Sequence, residues 1–198
     1  MNQWIILLTT AINNPTNTMP DTEYRKKLYE AQINRWLNET NYIIVVVESS
    51  GYRFPTIYHK RLRKISFVVP LSDSSSQYEA YSLLYALNTI KNSDYYIQCT
   101  HILKVTGRYF LQNIQDVLSK APQYKSLYLQ KHVQPSWQNT EYYGIQKELF
   151  ETFLETVKTS GLMENKLFEF AQNKSIVRIG RFPNTVARGG DKIVIPYL

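Results

Sequence analysis

The side chains in this sequence that could do chemistry gather where apolar runs end. Thr9 and Thr10 close the run Trp4-Ile5-Ile6-Leu7-Leu8. Glu48 and Ser49 follow Ile43-Ile44-Val45-Val46-Val47, and Lys104, Thr106 and Arg108 surround the end of a third such run. Two hydroxyls, a carboxylate and two cations suit a polar, anionic ligand. Arginine in particular holds such a group with a fork of parallel N–H donors. A carboxylate in the position of Glu48 can accept hydrogen bonds from ribose hydroxyls or a base N–H. It can equally be an exposed loop carboxylate paired with Arg53, and both readings stand at this stage.

These groups need elements to position them. Trp4 to Ile12 reads as a buried strand, and Asp21 as the cap of a helix from Thr22 to about Asn38 with Leu28, Tyr29, Ile33, Trp36 and Leu37 on one face. Tyr42 to Val47 and Lys64 to Val69 read as strands. Ser76-Gln77-Tyr78-Glu79 reads as a capping box opening a helix, which accounts for Glu79. Tyr95 to Val105 reads as the fourth strand, with a helix from Thr106-Gly107-Arg108 to about Ser119. Leu127 to Val133 and Tyr142 to Ile145 are further strands. A helix to about Lys158, another over about Leu162 to Gln172, and a strand from Ser175 to Ile179 complete the pattern. Strands alternating with amphipathic helices predict an α/β domain whose sheet is mostly parallel. In such a sheet ligands bind outside the carboxyl ends of the strands. That rule selects Thr9, Thr10, Glu48, Ser49, Lys104, Thr106 and Arg108. It sets aside Asp94, which precedes its strand.

Composition narrows the class. At 198 residues with 43% hydrophobic and 20% charged content, the chain is expected to form a single globular domain over 1–198, with a basic tail from about residue 174. Its formal net charge is +7. The one cysteine, Cys99, excludes an intrachain disulfide and fits a reducing compartment. Cys99, His59, His101 and His132 lack zinc-site spacing. The apolar N-terminal run is too short for a membrane span and lacks signal-peptide features, so a cytoplasmic location is expected. The turn after the first strand, Thr10-Ala11-Ile12-Asn13-Asn14-Pro15, carries none of the glycines that a dinucleotide fold or a P-loop requires there.

The string Lys104-Val105-Thr106-Gly107-Arg108-Tyr109-Phe110 resembles the Lys-x-Thr-Gly-Arg-Tyr signature of small glycosyltransferase-like proteins of large DNA viruses and bacterial polysaccharide loci. Thr9-Thr10-Ala11, Glu48-Ser49-Ser50 and Gln138-Asn139-Thr140-Glu141-Tyr142 agree with it, so the resemblance spans about residues 3 to 150. It implies a GT-A-like, Rossmann-like fold with a mixed, mostly parallel sheet flanked by helices. It also implies sugar transfer from a UDP-, GDP- or dTDP-sugar donor to a glycan acceptor. In that frame Thr9, Thr10 and Glu48 hold the nucleoside. Lys104, Thr106 and Arg108 meet the diphosphate, joined by Arg181 and Arg188 of the tail. Glu141 is the base that deprotonates the acceptor hydroxyl, with Glu164 in reserve. Trp137, Tyr52, Tyr58, Tyr142 and Tyr143 are available to stack on a base or sugar.

One departure is informative. Many GT-A enzymes place Asp-x-Asp at a strand end to hold Mn²⁺ or Mg²⁺ on the diphosphate. No two aspartates here have that spacing. Cations at the fourth strand's end are expected to stabilise the leaving group instead. Arg108 has a second reading, as a brace for a core carboxylate. The tail is either a phosphate cradle around Arg188-Gly189-Gly190 or a solvated basic segment that touches a membrane surface or a partner. A rival function is nucleic-acid or polyanion binding through Arg53, Lys60, Arg61, Arg63 and Lys64. No helix-turn-helix, RNA-recognition or zinc-finger string supports it. A third possibility is an inactive transferase fold that serves as a binding module.

Overall fold

The fold was analysed in a computed structural model that describes residues 3–13, 22–69, 74–122, 124–130, 137–159 and 162–179. The β-branched and apolar runs form the strands β1 (Trp4–Thr10), β2 (Ile43–Glu48), β3 (Leu62–Ser66), β4 (His101–Thr106), β5 (Leu127–Gln130), β6 (Tyr142–Gln146) and β7 (Ile176–Ile179). The helices are α1 (Thr22–Glu39), α2 (Ser75–Ile90), α3 (Asp94–Gln98), α4 (Ile114–Lys120), α5 (Lys147–Thr159) and α6 (Met163–Ala171). The strands make one sheet in the order β3-β2-β1-β4-β6-β5-β7. All run in one direction except β6, which is antiparallel to both neighbours.

Period-2 alternation sends β1 side chains to two separate cores. Trp4, Ile6 and Leu8 pack with Ile33 and Trp36 of α1 and Ile114 and Leu118 of α4. Ile5 and Leu7 pack with Leu83 and Leu87 of α2, Phe150 and Phe153 of α5, and Leu167 of α6. The sheet is therefore the middle of three layers. No described helix is long and apolar enough to cross a membrane.

Three local expectations are corrected. The fourth strand begins at His101, not Tyr95. Asp94–Gln98 is instead a one-turn helix that leaves Ile97 exposed, and Tyr95 and Tyr96 pack only partly on the core. The helix after Arg108 starts only at Ile114, because Tyr109, Phe110 and Leu111 are buried first and Asn113 then turns through a left-handed conformation (φ 58°). Finally, Ser74 rather than Ser76 caps α2, accepting a hydrogen bond from the Gln77 amide. The Ser76 hydroxyl accepts from the Met163 amide and ties α6 to α2. That leaves Glu79 without a capping role.

Candidate functional site

Because β6 runs against its neighbours, its first residue lies at the same edge of the sheet as the carboxyl ends of β1, β2, β4 and β5. Thr10 is level with Glu48, Thr9 with Thr106, and Tyr142 with Val105. The chain leaves β1 toward β2 on one side and reaches β4 on the other. The β1/β4 junction is thus the topological switch point, where open α/β sheets bind ligands. Gly107 closes that junction. Its amide donates to the Thr9 carbonyl at 2.8 Å, and a Cβ there would come within 2.5 Å of Thr10 Cγ2 and 2.9 Å of the Thr9 oxygen. The glycine is needed for close approach of two strand ends, and its N–H is spent on that contact.

On the α1 face of this edge, Glu48 is 1% exposed. Its Oε1 accepts from the Ile12 amide at 2.8 Å and the Ser50 hydroxyl at 2.5 Å. Its Oε2 accepts from the Ser50 and Tyr52 amides at 2.9 and 2.8 Å. The expected ribose carboxylate is therefore a clasp that shapes the loops after β1 and β2, and it is not paired with Arg53. Thr10 donates to the Val47 carbonyl at 3.4 Å. Below these loops lie Tyr29, Arg25 and Arg108. Burial raises the Tyr29 phenol pKa, while Arg108 and Arg25 pull it down. Arg25 is buried, donates to the Ala11 carbonyl at 3.2 Å, and its Nε has no partner among the described residues. Arg108 is half-buried and lies 5.0 Å from the Tyr109 ring. Arg25 was missed from sequence. The signal was there, since Arg25 precedes Tyr29 and Ile33 at intervals of four on the buried stripe of α1.

The opposite face holds a second cluster. Lys104 is 1% exposed, and its ammonium meets Glu79 Oε1 at 2.7 Å, the Thr140 carbonyl at 2.8 Å and the Thr106 hydroxyl at 3.4 Å. Those acceptors match its three N–H donors, so Lys104 has none left for a diphosphate. This corrects its expected role to that of an internal brace. Thr9, expected at the nucleoside, donates to the same Glu79 oxygen at 3.0 Å. Tyr143 lies beneath, fully buried, with its phenol pKa pushed well up by burial and by Glu79. Glu79, which the sequence reading ranks below Glu141 and Glu164 as a base because a capping role explains it, has no such role here.

Glu141 immediately precedes β6. Its carbonyl accepts from the Thr106 amide at 2.7 Å, and its Oε2 accepts from Gln130 Nε2 at 2.6 Å. Behind it, Gln138 donates to the Gln130 carbonyl, and Arg178 of β7 donates to Gln138 Oε1. Glu164, the reserve base, accepts from the Thr140 hydroxyl at 3.2 Å. Tyr142 and Tyr143 are fully buried and cannot stack on a ligand, while Trp137 and Tyr52 are half-buried and Tyr58 is exposed. Arg181 and Arg188 lie outside the described residues.

A divalent ion of the Asp-x-Asp kind does not fit the end of β4, where an ammonium and a guanidinium stand. Among the described residues, no group of three His, Cys, Asp or Glu could hold a metal. The basic stretch after β2 is also largely committed to the fold. Arg61 donates to the Tyr42 and Leu37 carbonyls, Arg63 to those of Lys60 and Leu62, and Lys64 to those of Phe54 and Ile57. These cations fasten the loop to α1 and to itself, which weakens the case for a phosphate track.

No family model and no curated protein matches the chain. Its similarity is to solved structures, at identities that speak to fold alone. The 4-diphosphocytidyl-2C-methyl-D-erythritol synthase of Anaerococcus prevotii is 10% identical with a TM-score of 0.56, covering 96% of this chain and 94% of that one. A glycosyltransferase involved in glycosylation of the major capsid of PBCV-1 is 11% identical with a TM-score of 0.53, covering 91% and 83%. HddC of Yersinia pseudotuberculosis, complexed with GMP-PN, is 8% identical with a TM-score of 0.52, covering 91% of each. The fold is GT-A-like, an α/β arrangement found in both glycosyltransferases and nucleotidyltransferases.

Proposed function

We propose that this protein is a glycosyltransferase that moves a sugar from a nucleotide-diphosphate donor to a glycan acceptor without an Asp-x-Asp metal site. The observation that carries the reading is that Arg108 and Arg25 both act on Tyr29, with Arg25 also donating to the Ala11 carbonyl of the β1 loop, at the switch point of a GT-A-like sheet. Both guanidinium groups stand in a partly dry site, Arg25 buried and Arg108 half-buried, where a charge-assisted contact to phosphate is strong.

In this reading the nucleoside lies against the loops that Glu48 clasps, with Thr10 beneath. Arg108 and Arg25 face the diphosphate. As transfer proceeds, the bond between the anomeric carbon and the diphosphate oxygen breaks, and the acceptor oxygen bonds to that carbon. The charge left on the diphosphate meets the two guanidinium groups, which are held in place before the reaction begins. The acceptor's proton passes to Glu141, whose carboxylate Gln130 orients.

Arg108→Ala tests the assignment. Removing one charge-assisted contact is expected to weaken binding of the preferred nucleoside diphosphate about 10- to 100-fold, with a larger loss of turnover and the melting temperature nearly unchanged. Undiminished binding and turnover in a folded variant would refute it.

A further inference from the structure

Glu79 has a geometry that its fold role alone does not use. Its Oε1 is fixed by two donors, the buried Lys104 ammonium at 2.7 Å and the Thr9 hydroxyl at 3.0 Å. Its Oε2 has no hydrogen-bond partner among the described residues, and the side chain is 25% exposed. A carboxylate is thus held at the β1/β4 junction by two donors to one oxygen, with the side chain partly exposed. Burying a lysine this deeply is expensive, and a pair built at that cost orients its exposed member. Lys104 reaches from the same face of β4 as Ile102, so its direction is set by the sheet and not by solvent.

We propose that Glu79 is the sugar-binding carboxylate of the donor site and that it restricts the donor to neutral, hydroxyl-rich sugars. The inference rests on the nucleotide-sugar reading above and extends it to the sugar. A carboxylate oxygen accepts hydrogen bonds from one or two sugar hydroxyls, with Thr9 and Lys104 keeping it in place. The same oxygen repels a sugar that carries its own carboxylate. Lys104 neutralises the charge at Oε1, but Oε2 and a uronate carboxylate are both acceptors only, so a uronic acid brings an oxygen with which Oε2 cannot pair.

The test is calorimetric, on the full chain. UDP, GDP, CDP and dTDP are titrated first. The glucose, galactose, mannose and glucuronate conjugates of whichever diphosphate binds follow, into the native protein and into Glu79→Gln. Native protein is expected to bind at least one neutral hexose conjugate about tenfold more tightly than the glucuronate conjugate. In Glu79→Gln, affinity for the bare diphosphate stays within about twofold, while the hexose conjugate loses roughly tenfold and the gap to glucuronate closes. Should the variant fail to fold, discrimination between hexose and glucuronate by the native protein still decides the matter. Diphosphate binding with equal affinity for hexose and glucuronate conjugates overturns the role of Glu79 and leaves the nucleotide-donor reading standing. No diphosphate binding at all overturns both.

Discussion

The buried Lys104–Glu79 pair can be tested by a double-mutant cycle. At 2.7 Å and an effective dielectric of about 20, the gross attraction is roughly 6 kcal/mol. Desolvating an ammonium that is 1% exposed takes back several kcal/mol, which leaves a net coupling of about 2 kcal/mol. Lys104→Met keeps the volume but strips Glu79 and the Thr140 carbonyl of their donor, and should cost about 3–5 kcal/mol. For a chain of this size that lowers the melting temperature by on the order of 10 °C. Glu79→Gln leaves the ammonium with neutral partners and should cost about 2 kcal/mol. The double variant removes charge from both sides, and should be less destabilised than the sum of the singles by about 2 kcal/mol. Equilibrium denaturation in urea of all four proteins measures this directly. Singles that add to within about 0.5 kcal/mol would show that the pair does not organise the edge of the sheet, and the argument for Glu79 would lose its foundation.

Two further predictions concern the fold around the site. Glu48→Gln should cost about 2–4 kcal/mol in a urea titration, because either orientation of the amide turns an NH₂ toward donors that both oxygens now accept from; a cost below about 1 kcal/mol would show that the loops hold without the clasp. His101 is buried between Trp4 and Tyr128, and burial lowers its pKa below the ordinary 6.5. The unfolded chain then binds the extra proton first, so the stability this residue contributes is complete above about pH 6.5 and is lost as the pH falls toward its folded value. Denaturation midpoints at pH 7 and pH 5 should fall further in the native protein than in His101→Phe, and parallel curves would contradict the assignment.

The sequence was most readable where periodicity was strong. The apolar runs that became β1, β2 and β5, and the stripe on α5, needed no tertiary information to place. The run Tyr95-Tyr96-Ile97 misled because it is as apolar as a strand. Ser93-Asp94 starts a helical turn there, and that turn presents Ile97 to solvent. Glu79 matched a local capping pattern, but the serine that caps the helix is Ser74, and the partner of Glu79 is Lys104 across the sheet. Spacing within one helix cannot reveal a partner on another element. Lys104 carried a partial signal, since alternation along β4 put it on the same inward face as Ile102, and a buried lysine must have a partner. Glu48 was correctly expected at a strand end. Which groups it would bind depended on where two separate loops met, and no single segment encodes that.

The central claim, a donor site that holds a nucleoside diphosphate through guanidinium groups, is tested most directly by calorimetric titration of the native protein. UDP, GDP, CDP and dTDP are each titrated with Mn²⁺ and then with a chelator. The account predicts selective binding of one diphosphate that survives the chelator. Binding that vanishes when the metal is removed, or no binding to any of the four up to millimolar concentration, would contradict it.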